Sequence, residues 1–210
     1  MRGSFRDKWR IYYVCRLFIG IGSQAEYGRK EVKLSPSTPV SPETGYGYAK
    51  LCAGLMTREL AHQIGLQHIW IRILSVYGPG DGATSMISYV IRELMEGHTP
   101  ELTEGTQQWD YLFSRDAAEA LYQVAEKGID GKTYVLGSGQ SRQLKDYTEE
   151  IKQIISPVTE IKYGVVPFSQ KQIMHLCADI SELKKDTGWM PKIDFSEGIR
   201  IIVEQLKSEV

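Results

Sequence analysis

The sequence predicts an α/β protein built on a parallel sheet. Three observations carry that reading. Short apolar, β-branched runs alternate with helix-patterned stretches of about a dozen residues, the rhythm of strand–helix–strand units. Gly65, Gly97 and Gly128 follow directly on helical patterns, where a helix stop belongs. A chain of 210 residues, 42% hydrophobic, can bury a substantial core in one domain or a little more.

The elements follow in order. Leu17–Gly22 is apolar and then turns polar, a buried strand ending in a loop. Arg29–Thr44 holds Pro36, Pro39 and Pro42 among Ser and Thr and is a loop. A helix starts near Pro42–Thr44, with proline and acid early as its amino end prefers, and runs to about Gln63 before Gly65. His68–Val76 is β-branched and apolar, a buried strand, and Gly78–Gly82 is a loop. Further helices are predicted over Thr84–Glu96, Arg115–Lys127, Gln143–Ile155, Ile180–Thr187 and Phe195–Ser208. Further strands are predicted over Glu101–Thr103, Trp109–Phe113, Lys132–Leu136 and Glu160–Val165.

Bulk composition excludes several classes. A net charge of −1, with no basic patch interleaved with aromatics, argues against a nucleic-acid partner. Cys15, Cys52 and Cys177 are odd in number and scattered, with neither metal nor disulfide spacing, so a reducing cytoplasm is the default. His62, His68, His98 and His175 fall in no ligand pattern, and no metal is expected. A basic Met1–Arg10 before the mostly apolar Ile11–Ile21 faintly resembles a signal peptide, but Arg16 interrupts the run and no clean cleavage site follows. No run reaches the ~18 apolar residues of a membrane span.

One motif invites a wrong reading. Gly20-Ile21-Gly22-Ser23-Gln24-Ala25 matches G-x-G-x-x-A after an apolar strand. A dinucleotide fingerprint needs its last small residue in the first turn of a helix whose amino end holds the pyrophosphate. Glu26-Tyr27-Gly28-Arg29-Lys30 instead runs into the prolines, and no acid-ended second strand follows, so the match is set aside. Gly137-Ser138-Gly139 reads as a strand-to-helix turn.

Tyr46 and Lys50 carry more chemistry. At i and i+4 on a helix they lie one turn apart on one face. A nearby cation favours phenolate, lowering a pKa that is about 10 unperturbed, so Tyr46 is a candidate general acid/base. Alone, Y-x-x-x-K is common.

Its neighbourhood is specific. Gly22-Ser23-Gln24-Ala25-Glu26-Tyr27-Gly28 at a strand end, the proline loop, then Ser41-Pro42-Glu43-Thr44-Gly45-Tyr46-Gly47-Tyr48-Ala49-Lys50 resembles the extended short-chain dehydrogenase/reductases, the NAD-dependent epimerase/dehydratases. Arg72-Ile73-Leu74-Ser75-Val76-Tyr77-Gly78-Pro79-Gly80 looks like the family's strand and Y-G-P-G loop. Trp109–Ala120 is similar to its R-D-[FY]-x-x-V-x-D-x-A-x-A block, and Tyr134–Gly139 to its Y-N-x-G-x-G turn. Asp179-Ile180-Ser181, Gly188-Trp189-Met190-Pro191 and Glu197-Gly198-Ile199 resemble its closing run.

The resemblance implies a Rossmann-like parallel sheet made by 17–76 and 109–136, with 77–108 and 137–210 as a small α/β substrate-binding portion. It implies NAD or NADP as cofactor and an activated nucleotide-sugar as substrate. Tyr46 would be the acid/base, Lys50 would lower its pKa and hydrogen-bond the nicotinamide ribose, and Ser23 would hydrogen-bond the reacting hydroxyl. Leu74 matches a position lining the nicotinamide, and Ser75 one, usually Asn, that touches the nucleotide-sugar. The helix carrying Tyr46 and Lys50 forms a homodimer face in the family. Leu51 and Leu55 are open between dimer face and core, whereas Ala49, Cys52, Ala53, Met56 and Leu60 follow the spacing of a core stripe. Trp70, Trp109 and Trp189 read as packing residues.

Departures narrow the expectation. Family dehydratases resemble T-D-E-x-Y-G at the strand end, the acids serving water loss; here those places hold Gln24 and Ala25, which favours epimerisation or ketone reduction. Glu26 would point to the opposite face of the strand. Trp109 stands where an Arg usually grips the diphosphate, leaving Arg115, Arg142 or Lys171 to replace it. The family opens with G-x-x-G-x-x-G and a long stretch of sheet and helices, and no such motif occurs here. The expectation is an amino-terminally truncated chain with an incomplete sheet, its first βαβ units missing. A non-catalytic remnant or interaction module of the same fold is the alternative.

Overall fold

A computed structural model describes residues 15–208; the basic start at Met1–Arg10 lies outside them. Strand β1 (Leu17–Ser23) leads through a 3-10 turn (Gln24–Glu26) and the proline loop into helix α1 (Gly45–Ile64). Next come β2 (Gln67–Ile73), β3 (Ser75–Tyr77), α2 (Met86–Met95), β4 (Gln108–Trp109), β5 (Tyr111–Phe113) and α3 (Ser114–Lys127). The chain closes with β6 (Thr133–Leu136), β7 (Arg142–Gln143), α4 (Leu144–Ile155), α5 (Ser181–Thr187) and α6 (Phe195–Ser208).

The main sheet has the order β1-β2-β6 and is parallel, with β1 at one edge among the described residues. Its register sets Ser23 opposite Ile73 and Ile73 opposite Leu136, so three strand ends lie side by side. β3 pairs with β5 in parallel, and β4 with β7 antiparallel. Ile69, Ile71, Tyr134 and Leu136 of the main sheet pack on Ala117, Ala120 and Val124 of α3 and on Leu183 and Trp189. A second cluster joins Ile87, Val90 and Ile91 of α2, Ile151 of α4 and Ile199 of α6 with Tyr77 and Phe113.

Local chemistry explains the helix ends. Thr44 caps α1, its Oγ1 accepting from the Gly47 N–H at 3.1 Å. Gly65 ends it in the left-handed region at φ 70°, where a side chain would be strained. Ser85 caps α2 by accepting from the Ser88 N–H at 3.2 Å.

Four expectations are corrected. The run His68–Val76 is two strands, because β6 stops at Leu136; beyond Leu74, whose N–H still donates to Leu136 O at 2.9 Å, the chain crosses to β5. Trp109–Phe113 breaks at Asp110, whose buried carboxylate accepts from the N–H groups of Ser138 (2.7 Å), Gly139 (3.0 Å) and Ala178 (2.9 Å). The strands expected at Glu101–Thr103 and Glu160–Val165 reduce to one bridge between Glu101 and Lys162. On α1, Ala49, Cys52, Ala53, Met56 and Leu60 are exposed, and the buried stripe is Gly47, Gly54 and Ala61.

Trp70 explains the glycine in the middle of that stripe. A Cβ on Gly20 would fall 2.2 Å from the Trp70 ring, one on Gly22 2.4 Å from its Nε1, and one on Gly54 2.8 Å from Cε2. The indole therefore sits between bare backbone of β1 and bare backbone of α1. Small residues let the helix approach so closely that its larger apolar side chains point away. No helix among the described residues is long and apolar enough to cross a membrane.

Candidate active site

The site begins at the end of β1. Ser23 ends the strand, its Oγ accepts from the Ala25 N–H at 3.2 Å, and its own N–H donates to Glu26 Oε1 at 2.9 Å. This reciprocal cap turns the chain into a 3-10 turn instead of continuing the strand. Glu26 consequently does not point across a strand: it is fully buried beneath the turn. There it accepts from Trp70 Nε1 at 3.0 Å and Arg72 Nε at 2.8 Å. Arg72 also donates to the Tyr27 hydroxyl at 3.1 Å, and Tyr27 donates to Ser35 O at 2.8 Å. Burial opposes the charge on Arg72, but hydrogen bonds to Tyr27 and Glu26 outweigh it and hold the guanidinium protonated. Burial pushes the Tyr27 phenol up, with Arg72 pulling the other way. The turn that presents Ser23 thus rests on a closed polar network.

The first turn of α1 lies directly against this turn. A Cβ on Gly47 would come 2.3 Å from Ala25 O, so only glycine permits the approach. Tyr46, one residue earlier, is 58% exposed, and no hydrogen bond among the described residues engages its hydroxyl. Lys50 Nζ donates to Ile21 O at 2.9 Å and lies 5.7 Å from the centroid of the Tyr46 ring. An ammonium has three donors, so this bond leaves two for a ligand. Ser23, Tyr46 and Lys50 therefore gather at the carboxy end of β1, although Ser23 and Tyr46 do not hydrogen-bond directly.

Leu74 and Ser75, at the neighbouring end of β2 and the start of β3, line a cavity of about 580 Å³. Trp109 lines it too, and its Nε1 donates to Ser75 Oγ at 2.7 Å, so this tryptophan is more than a packing residue. Arg142 is the cross-strand partner of Trp109 and lines a second cavity of about 480 Å³ that shares Tyr111 with the first. It is paired with Glu150 at 2.7 Å and stacked 4.1 Å over the Tyr147 ring. Arg115 lines neither cavity and is exposed on α3. Lys171 borders a small cleft of about 100 Å³ with Gln24, Ala25 and Glu43.

Sequence reasoning missed Glu26, Asp110 and Gln107 as parts of this region. Glu26 and Asp110 look like ordinary polar loop or strand residues until the turns that bury them are seen. Gln107 precedes a short strand and carries no pattern.

Comparison with known proteins bears on family and fold. The model of the NAD-dependent epimerase/dehydratase family matches residues 9–137. A dTDP-glucose 4,6-dehydratase from Xanthomonas campestris pv. campestris (strain B100) is 27% identical over 216 residues, covering 96% of this chain and 62% of that protein. The dTDP-glucose 4,6-dehydratase of Escherichia coli is 29% identical over 173 residues, covering 77% of this chain and 48% of its own length. The chain thus spans under two thirds of these relatives. Among solved structures, RMD from Pseudomonas aeruginosa complexed with NADPH superposes with a TM-score of 0.85 at 21% identity, over 92% of this chain and 67% of that one. UDP-N-acetylglucosamine 4-epimerase from Methanobrevibacter ruminantium M1, in complex with UDP-N-acetylmuramic acid, gives 0.85 at 24% identity, over 93% and 64%. These likenesses establish the fold.

Proposed function

This chain belongs to the NAD-dependent epimerase/dehydratase family, and from that premise we propose an NAD(P)-dependent epimerase or reductase acting at a hydroxyl-bearing carbon of a sugar. The observation that carries the reading is the gathering of Ser23, Tyr46 and Lys50 at one strand end, held by the Lys50–Ile21 bond and the Gly47–Ala25 approach. Tyr46 takes or returns the hydroxyl proton, Ser23 holds the same oxygen, and Lys50 supplies positive charge where the phenol oxygen becomes negative.

The nicotinamide cofactor, when bound, accepts or returns the hydride at the sugar carbon. Its ribose end fits this chain: Lys50 keeps free donors beside the exposed Tyr46, and Leu74 offers an apolar neighbour at the next strand end. Its pyrophosphate end does not fit the described residues. Gly20 and Gly22 are filled by Trp70, and the sequence holds no G-x-x-G-x-x-G.

The relatives in the comparison include dehydratases, yet Gln24 and Ala25 offer neither acid nor base for water loss, which supports epimerisation or ketone reduction. The nucleotide-sugars of those relatives are the starting class for the substrate, with 77–108 and 137–210 as the portion that receives it. A homodimer through α1 is part of the proposal, supported by the exposure of Leu55 (57%), Met56 (71%), Leu60 (55%) and Ile64 (65%). The other reading, a non-catalytic interaction module, is supported by that same apolar face and by the indole-filled glycines.

Turnover separates the two. At NAD of about 10 mM, enough to load a millimolar site, a panel of sugars and nucleotide-sugars is screened for 340 nm absorbance and for epimer formation by NMR. The enzyme reading expects turnover with at least one sugar, lost in Ser23→Ala and Lys50→Met; no turnover with any sugar returns the interaction module.

A further inference from the structure

We propose that Glu93, Glu96 and His98, at the carboxy end of α2, form a binding site for a divalent cation of the zinc type. The inference does not rest on the catalytic reading above; it rests on how the helix ends.

α2 stops in a Schellman motif. Glu96 caps it, and Gly97 takes the left-handed region at φ 75°. The Gly97 N–H donates to Leu94 O at 3.3 Å and the His98 N–H to Glu93 O at 2.8 Å. This motif lays the side chain of His98 over that of Glu93, a contact that is usually apolar. Here it is an imidazole against a carboxylate. His98 Nδ1 lies 3.5 Å from Glu93 Oε2 and 3.2 Å from Glu96 Oε2. Spacing along the chain hides the set, because only the fold-back at Gly97 carries His98 onto the helix end.

The distances suit a metal ion. Donor atoms about 2.0–2.2 Å from zinc stand about 3.3–3.6 Å apart at the corners of a tetrahedron, and the two measured edges match that spacing. All three ligand atoms lie within 4.8 Å of one another, so a turn of the exposed Glu96 side chain closes the third edge. Water takes the fourth corner. One imidazole nitrogen with two carboxylates is a zinc donor set, softer than the all-oxygen shells that magnesium and calcium prefer. Among the described residues no other three His, Cys, Asp or Glu side chains bring ligand atoms this close.

Electrostatics favours a cation at the same place. Glu93 and Glu96 are three apart on one helix face, and both sit at the negative end of the helix dipole. Arg92 answers only at long range, its Nη2 3.6 Å from Glu93 Oε1, which leaves Oε2 to face His98. A bound ion also ties α2 to the segment that follows. Beyond His98, Pro100 is buried and the Glu101 N–H donates to the Tyr89 hydroxyl at 3.2 Å. Glu101, Leu102 and Thr103 then wall the cavity of about 580 Å³. The ion therefore braces one wall of that cavity from outside.

The test titrates the 210-residue chain with zinc chloride by calorimetry, in a Cys15→Ser, Cys52→Ser background that removes the exposed thiols. The expected result is saturable one-to-one binding at about 10 µM, undisturbed by excess magnesium, with a melting temperature that rises with zinc. His98→Ala and Glu96→Gln, both at exposed positions, should each weaken binding at least about tenfold. His98→Lys separates a ligand from a charge: it keeps a cation over the two carboxylates, so the metal-free melting temperature should hold while zinc binding is lost. No saturable binding up to about 1 mM zinc, or binding unchanged in His98→Ala, overturns the proposal. So does zinc-independent stability that His98→Ala lowers and His98→Lys restores, the mark of an ion pair only.

Discussion

Removing the carboxylate of Glu26 should be among the most damaging single changes in the molecule. The group is fully buried and accepts three hydrogen bonds, from Ser23 N, Trp70 Nε1 and Arg72 Nε. In Glu26→Ala the Arg72 guanidinium, 8% exposed, keeps the Tyr27 hydroxyl but loses its counter-charge. Breaking a buried pair from one side costs about 3–5 kcal/mol, and the orphaned N–H groups of Ser23 and Trp70 place this case at the upper end. That is a large share of a domain stability of about 5–15 kcal/mol. Glu26→Gln keeps the shape and one acceptor and should cost about 1.5–3 kcal/mol. Urea unfolding followed by tryptophan fluorescence gives the numbers, with the midpoint falling and the slope unchanged. Glu26→Met combined with Arg72→Met should be less destabilising than either single change, because no charge is then left alone. A loss under about 1 kcal/mol in Glu26→Ala, or additive effects in the pair, would refute the view that this network holds the Ser23 turn.

Other perturbations probe the remaining links. Gly47→Ala places a methyl 2.3 Å from Ala25 O, so α1 must move off the Ser23 turn; thermal melting should show a loss of about 1–3 kcal/mol, and a neutral outcome would refute the close approach. His68 is buried against Phe18 and Trp70, and burial first, then Arg58, holds its pKa below the usual imidazole value while Asp130 pulls it back. The unfolded chain then binds a proton that the folded one does not. Stability should therefore fall as pH drops below about 6.5 toward the lowered folded value, and His68→Phe should flatten that slope in urea titrations across pH. NAD(P)H fluorescence titration of the 210-residue chain should give a dissociation constant of roughly millimolar, about −4 kcal/mol; micromolar affinity would contradict the lack of a pyrophosphate site among the described residues and return attention to Gly20 and Gly22.

Much of the fold was legible because its signals are local. Thr44, Gly65, Gly97 and Gly128 punctuate helices by capping chemistry, and the apolar run at β2 has no solvent-facing alternation. The strand breaks at Leu74 and Asp110 were not legible, since each depends on where a distant partner strand or turn ends. The core face of α1 was misread for a related reason. Spacing shows which residues share a face, but the face that packs is the one whose glycines admit close neighbours, Trp70 at Gly54 and the Ala25 carbonyl at Gly47. The rejection of the glycine fingerprint was legible from the prolines that follow it, and the structure adds the cause: those glycines make room for an indole. Ser23, Tyr46 and Lys50 are legible as a motif and are proposed on it, whereas Glu26 emerges only from its burial and hydrogen bonds and Gln107 from an unmatched acceptor.

The central claim, that Tyr46 transfers the proton of a sugar hydroxyl, is tested most directly by separating binding from turnover in Tyr46→Phe. With NAD saturating at about 10 mM, the sugar that the wild-type chain turns over is titrated and assayed in both proteins. The account predicts sugar and NAD affinities within about threefold of wild type and a turnover number reduced by about 10²–10⁴-fold, the range for loss of a general acid/base. Wild-type turnover in Tyr46→Phe, or a loss that appears wholly in sugar affinity, would contradict it.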